Sequence, residues 1–238
     1  MNYLIWDGTN SSTIEGLVIQ ELPPITKPSI RTNVTEIEGK DGDFVEELGY
    51  GSYEKEVKIG LAGNYDVDEI AKFFTGSGQV IFSNEPDKYY NSAIHEQIDF
   101  KRLTIFREAT VKFHCQPYKY LADEPIVEEI IEEQTEIGVK NRGLEAAKPV
   151  MTLYGTDILE ILINNLSVFQ LNFGTNPDVP DQYLTVDSEL QECYKDTVKT
   201  LKNRSMTGEF PTLNPGENTI SWTGNLERIV VEPKSRWL

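Results

Sequence analysis

The sequence predicts a mainly β protein of two domains, and three observations carry that prediction. Apolar and polar side chains alternate with period two along most of the chain, the pattern of strands with one buried face. The composition is globular and sheet-prone, with 39% hydrophobic residues, 11 Tyr, 10 Phe and 3 Trp. At 238 residues the chain is long enough for two medium domains, each with its own core.

The elements follow in order. "EIEGKDGDFVEELGY", residues 36 to 50, holds six acids, among them the Asp41 of the pair Asp41-Gly42. Asp-Gly between alternating segments is a strong signal for a tight hairpin. The pair is therefore assigned a type I′ turn, and the acids are read as solvated or edge-protecting charge. An EF-hand loop is rejected because the acids do not fall at its ligand spacing. In "EKEVKIGL" Val57, Ile59 and Leu61 share one face, opposite Glu56 and Lys58. "DVDEIAKFFTG" predicts one short helix, over 66 to 75. Asp66 is its cap, Glu69 sits three residues on, Ile70, Phe73 and Phe74 form the apolar stripe, and Gly76 is the stop. "FFTGSGQV" lacks the phosphate-loop spacing and follows a helix instead of opening one, so it reads as a turn. "EATVKFHCQP" places Ala109, Val111, Phe113 and Cys115 on one face.

A seam is expected at residues 120 to 126, where Pro117 and Pro125 flank an aromatic strand exit and the acid-dense "EEIIEEQTE" follows as an exposed segment. Strand texture is expected to resume at "AKPVMTLYG". The predicted domains are therefore 1–122 and 123–238. They carry 12 basic against 19 acidic residues (net −7) and 10 against 20 (net −10). In the second domain "SVFQLNF" turns Phe169, Leu171 and Phe173 to one face, and "NTISWTG" does so with Ile220 and Trp222. In "ERIVVEPKSRWL", Ile229 and Val231 are read as inward residues, with Trp237 folding back as an apolar plug beside Leu238. "SELQECYKDTVK" reads equally as a helix or as an irregular connection.

Chemistry is hard to find. A formal charge of −17 argues against phosphate-backbone binding as a main activity. Cys115 and Cys193 are far apart and are read as reduced thiols. His95 and His114 lie in no nucleophile context and are read as structural polar residues. With two His and two Cys scattered, no zinc site is expected. No pair of carboxylates is singled out for acid–base work. The N-terminal residues lack an export signal, and no run is long enough to span a membrane. The prediction is thus no catalytic residue, no cofactor-binding residue, no metal ligand and no cofactor, in a protein that builds or binds and is not an enzyme.

Several stretches in order resemble the distal tail proteins (Dit) of long-tailed phages. In the N-terminal half these are "IEGKDGDF", Tyr50 with "EKEVKIGL", the short helix with "GSGQVIFSNEPDKYY", and "FKRLTIFREATVKFHCQPYKY". In the C-terminal half they are "VKNRGLEAAKPVMTLYG", "LTVDSELQECYKD", "GEFPTLNPGENTISWTG" and "RIVVEPKSRWL". The resemblance implies a structural virion protein of a long non-contractile tail, assembled in the host bacterial cytoplasm. Its N-terminal β-sandwich would form a hexameric ring, with a galectin-like or carbohydrate-module-like β-sandwich following it. The implied partners are five further copies in a homo-hexamer, the major tail tube protein and the tail-associated lysin or hub protein, with receptor-binding proteins as a further candidate. No membrane and no specific nucleic acid binding are implied, DNA passing through the ring. The alternative reading is a carbohydrate-binding adhesin of the tail tip that stacks sugars on Trp222, Trp237 and the many tyrosines.

Overall fold

The computed structural model describes residues 2–99, 103–105, 107–174 and 183–238. It is mostly β, with two compact units, one running to Ala122 and one from Asp123 to Trp237.

In chain order the first unit contains β1 (Leu4–Trp6), β2 (Thr9–Asn10), β3 (Leu17–Glu21), β4 (Ile30–Glu36), β5 (Asp43–Tyr50) and β6 (Tyr53–Leu61). Helix α1 (Val67–Phe73), β7 (Gly76–Phe82), β8 (Lys88–Ile94) and β9 (Glu108–Leu121) follow. The sheet runs β2-β1-β7-β8-β9-β6-β3, while among the described residues β4 and β5 pair only with each other. β9 is long enough to serve two neighbours. Its first half pairs with β6, Ala109 opposite Ile59 and Cys115 opposite Tyr53; its second half pairs with β8, Tyr120 opposite Tyr89.

The alternation in "EKEVKIGL" and "EATVKFHCQP" acts as predicted: Val57, Ile59, Leu61, Ala109, Val111, Phe113 and Cys115 are all buried. Phe113 is the hub of an aromatic cluster, meeting Trp6 at 5.3 Å, Phe82 at 5.7 Å and Phe74 at 6.3 Å in edge-on geometry. Helix α1 starts where Asp66 accepts from the amides of Asp68 (2.8 Å) and Glu69 (3.4 Å), and it buries Ile70, Phe73 and the following Phe74. "GSG" is not a turn. Gly76 opens β7 at φ +92, and Gly78 lets the strand pass Asp7, whose Oδ1 would lie 2.8 Å from an added Cβ.

The second unit contains β10 (Val127–Ile130), β11 (Glu136–Asn141), β12 (Val150–Ile163), β13 (Leu166–Asn172), β14 (Tyr183–Asp187), β15 (Glu192–Tyr194), β16 (Met206–Gly208) and β17 (Gly216–Glu232). The two long strands β12 and β17 lie side by side and belong to both layers. One layer adds β10, β14 and β15 at one end of the pair, and the other adds β11, β13 and β16 at the opposite end. Irregular register between Thr156 and Glu160 makes the corner, where Asp157 (φ +57) and Gly224 (φ +109) adopt left-handed backbone. The core between the layers holds Met151, Leu153, Leu159, Ile161, Phe169, Leu171, Ile220, Trp222, Ile229 and Val231.

Three sequence expectations change here. Strand texture resumes earlier than "AKPVMTLYG": part of the acid-dense segment is the edge strand β10, with Val127 opposite Val231 and Glu128 paired to Arg228 at 2.5 Å. Acids on an exposed edge read as linker in one dimension, but they suit a strand that must not pair onward. "SELQECYKDTVK" forms no helix, because Asp187 caps a short turn by accepting from Glu189 and Leu190 and the chain then enters β15. Trp237 is only half-buried. The C-terminal segment is anchored instead by buried Ser235 and Arg236: Arg142 N–H donates to Ser235 Oγ (2.8 Å), and Arg236 Nε donates to the Ala146 carbonyl (2.7 Å).

Candidate functional site

The hairpin of β4 and β5 lies outside the core of its own unit. Its register is Glu36 opposite Asp43, Thr35 opposite Phe44, Val34 opposite Val45 and Thr32 opposite Glu47. Adjacent residues of a strand point to opposite faces, so Phe44 and Val45 put an apolar side chain on each side of the ribbon. Phe44 is 56% exposed, Val45 55%, Val34 53% and Leu48 52%. An isolated two-stranded ribbon is marginal in water, and among the described residues no further strand pairs with this one. Six acids against Arg31 and Lys40 give the stretch from Ile30 to Tyr50 an acidic character.

The tip corrects the hairpin prediction. With Glu36 opposite Asp43, the loop spans residues 37 to 42 and is not a two-residue type I′ turn. Lys40 N–H donates to the Ile37 carbonyl at 3.1 Å across Gly39 (φ +80), which sets the first bend, and Gly42 (φ +80) sets the return. Asp41-Gly42 marked the right place, but the extra bend at Gly39 widens the loop. Gly42→Val is expected to cost about 1–2 kcal/mol because a β-branched residue resists left-handed backbone. The cost falls on the ribbon, so its amide exchange should quicken about tenfold while the melting temperature stays put.

The ribbon's root is built from polar groups that the sheet buries. Lys55, near the start of β6, lies on the same face as Val57 and Ile59, and Lys119 lies on the inward side of β9; both are buried. Lys119 Nζ donates to Glu85 Oε1 (2.6 Å) and Tyr90 Oη to Glu85 Oε2 (2.5 Å). Burial works to raise the Glu85 carboxyl, but hydrogen bonds from Lys119 and Tyr90 outweigh it and hold it below its ordinary value. Burial lowers the Lys55 ammonium. These lysines were legible in the sequence, since both keep phase with the apolar residues of their strands.

The other candidates are scattered. His95 and His114 face each other with ring centroids 5.9 Å apart, and nearby Ser92 donates to the backbone carbonyl of His114 (3.1 Å). Cys115 and Cys193 are buried and free, in different units. Burial pushes the Cys193 thiol up to about 11 and the Cys115 thiol upward as well. Thiol reagents at neutral pH are expected to label the native protein at least about a hundredfold more slowly than the unfolded chain, as mass spectrometry would read. Trp222 is a core residue, which removes it from any sugar-stacking surface. The half-buried Tyr154 and Tyr183 pair at 5.1 Å, but Arg228 and Lys195 lie over their rings. Among the described residues no group of three His, Cys, Asp or Glu could hold a metal ion, and no helix is long and apolar enough to cross a membrane.

Residues 12–115 match the family of the phage tail protein RIFT-related domain. The whole chain superimposes on the crystal structure of SPP1 Dit (gp 19.1), described as a paradigm of the hub adsorption apparatus in phages infecting Gram-positive bacteria. That match has a TM-score of 0.68 and 18% identity and covers 100% of both chains. A chain of the phage p2 baseplate in its activated conformation matches over 98% of each chain, with a TM-score of 0.51 and 11% identity. No curated protein sequence matches. Residues 12–115 therefore resemble a phage tail protein domain, and the chain as a whole shares the β fold of the two matched structures. The fold of the chain is Dit-like.

Proposed function

We propose that this protein is the ring-forming subunit at the distal end of a long non-contractile tail. Six copies close a ring through the unit ending at Ala122, which acts as the ring-forming domain. The ring joins the tail tube protein to the tail-associated lysin or hub and to the receptor-binding apparatus. The observation that supports this reading is the ribbon of β4 and β5, an arm with Val34 and Val45 on one face and Phe44 and Leu48 on the other, all more than half exposed; the proposed cover is a second copy. An arm on one subunit meeting a different patch on the next is a heterologous contact, which closes into a ring when the rotation fits. The protein works by assembly and not by catalysis. DNA passes through the opening, and a net charge of −17 suits transit because it does not hold phosphates.

The test is subunit number and position. Electron microscopy and native mass spectrometry of the purified protein at moderate salt are expected to show six-fold rings, since screening over a Debye length of about 8–10 Å relieves the repulsion between acidic subunits. Antibody labelling of purified tails is expected at the distal end. A copy number that is not a multiple of six, or labelling along the tube, removes the reading.

A further inference from the structure

The arm leaves the body through residues 22 to 29, which include Pro23, Pro24 and Pro28, and returns at Gly51. Two side chains of the body grip this entry segment by its carbonyls. Asn84 Nδ2 donates to the Pro23 carbonyl at 2.9 Å, and Lys55 Nζ donates to the Pro24 carbonyl at 3.1 Å. Lys55 is only 3% exposed, and its ammonium sits over the rings of Tyr90 (4.8 Å) and Tyr53 (5.3 Å). Tyr90 and Lys119 both donate to Glu85, which shares the turn between β7 and β8 with Asn84. Around this grip Pro23 and Pro28 are buried, Gly51 N–H donates to the Ser29 carbonyl (2.8 Å), and Tyr50 packs edge-on against Tyr118.

We propose that Lys55 and Asn84 are positioning residues that fix the direction in which the β4–β5 arm leaves the body. The proposal rests on the arm being the ring contact and names what aims it. A buried cation is a poor device for stability, because an apolar residue of similar volume often serves as well or better. Its contribution here is directional: proline holds φ fixed, so gripping two successive proline carbonyls sets the path of the whole segment. Direction matters because six identical contacts close only at one rotation, and an error at each arm accumulates around the ring.

The experiment measures arm direction in the full-length chain, kept monomeric at low ionic strength. Spin labels are placed at Thr35→Cys on the arm and Lys72→Cys on the exposed side of α1; the native thiols are buried. Pulsed dipolar spectroscopy then gives the distance distribution between them. Lys55→Met and Asn84→Ala are each expected to broaden that distribution about twofold over the unsubstituted pair. The melting temperature of Lys55→Met should be unchanged or raised, a combination that a merely stabilising role does not produce. Lys58→Met, which removes the surface pair with Glu21, is the control and should leave the distribution narrow. Distributions equally narrow in both variants, or equally broad before and after substitution, overturn the proposal. Six-fold rings with an unaffected arm would leave the assembly reading standing and remove this one. An arm aimed by Lys55 in a chain that never forms rings would do the reverse.

Discussion

Replacing Phe44 and Val45 together by serine is expected to leave the chain folded and abolish its assembly. Both side chains are more than half exposed, and neither belongs to the core cluster of its unit. The melting temperature should therefore move little, as is usual for exposed positions. The interface should lose a great deal. An aromatic anchor costs about 2 kcal/mol or more when truncated, so losing Phe44 alone weakens each contact by about thirtyfold or more at 1.4 kcal/mol per decade, and losing Val45 from the other face adds to it. Sedimentation or native mass spectrometry at moderate salt reads the outcome directly. A doubly substituted protein that still forms the wild-type oligomer would show that the arm is not the contact, and the single variants would show which face matters more.

Phe113→Ala is expected to cost about 3–5 kcal/mol, the range for deleting a large buried aromatic. Phe113 is fully buried, and Trp6, Phe74 and Phe82 all lean on its ring from different elements. The cavity therefore opens where three elements converge and cannot be closed by the movement of one side chain. Urea unfolding followed by tryptophan fluorescence is suitable, because Trp6 is the ring's near neighbour at 5.3 Å. A loss below about 1 kcal/mol would mean that the cluster collapses around the gap.

The strands were the most legible feature, for a local reason: one buried face imposes period two, and β6, β9, β13 and the ends of β17 show it in their own residues. Helix α1 was legible because its cap and apolar stripe lie within a dozen residues. The misreadings share a different origin. β10 is a short edge strand whose existence depends on β17, with Val127 opposite Val231 and far from it in sequence, while β15 is a three-residue strand that pairs with the adjacent β14 and has too few residues to show a period of its own. The tip of the arm looked like a two-residue turn because Asp41-Gly42 is a strong local signal, yet its loop length is set by the register of Glu36 with Asp43.

By itself the sequence determined the mostly β character, the inward faces of the main strands, the position of the helix and the likeness to Dit proteins. These follow from alternation, capping and ordered motifs, all of them local. Tertiary structure alone decided that the segment from Ile30 to Tyr50 stands apart as an arm, because a ribbon with apolar residues on both faces reads in one dimension like any other buried hairpin. It alone gave Lys55 a role. The phase of that lysine with Val57 and Ile59 is visible in the sequence, but the Pro24 carbonyl that accepts its hydrogen bond lies 31 residues upstream, beyond the reach of any local pattern.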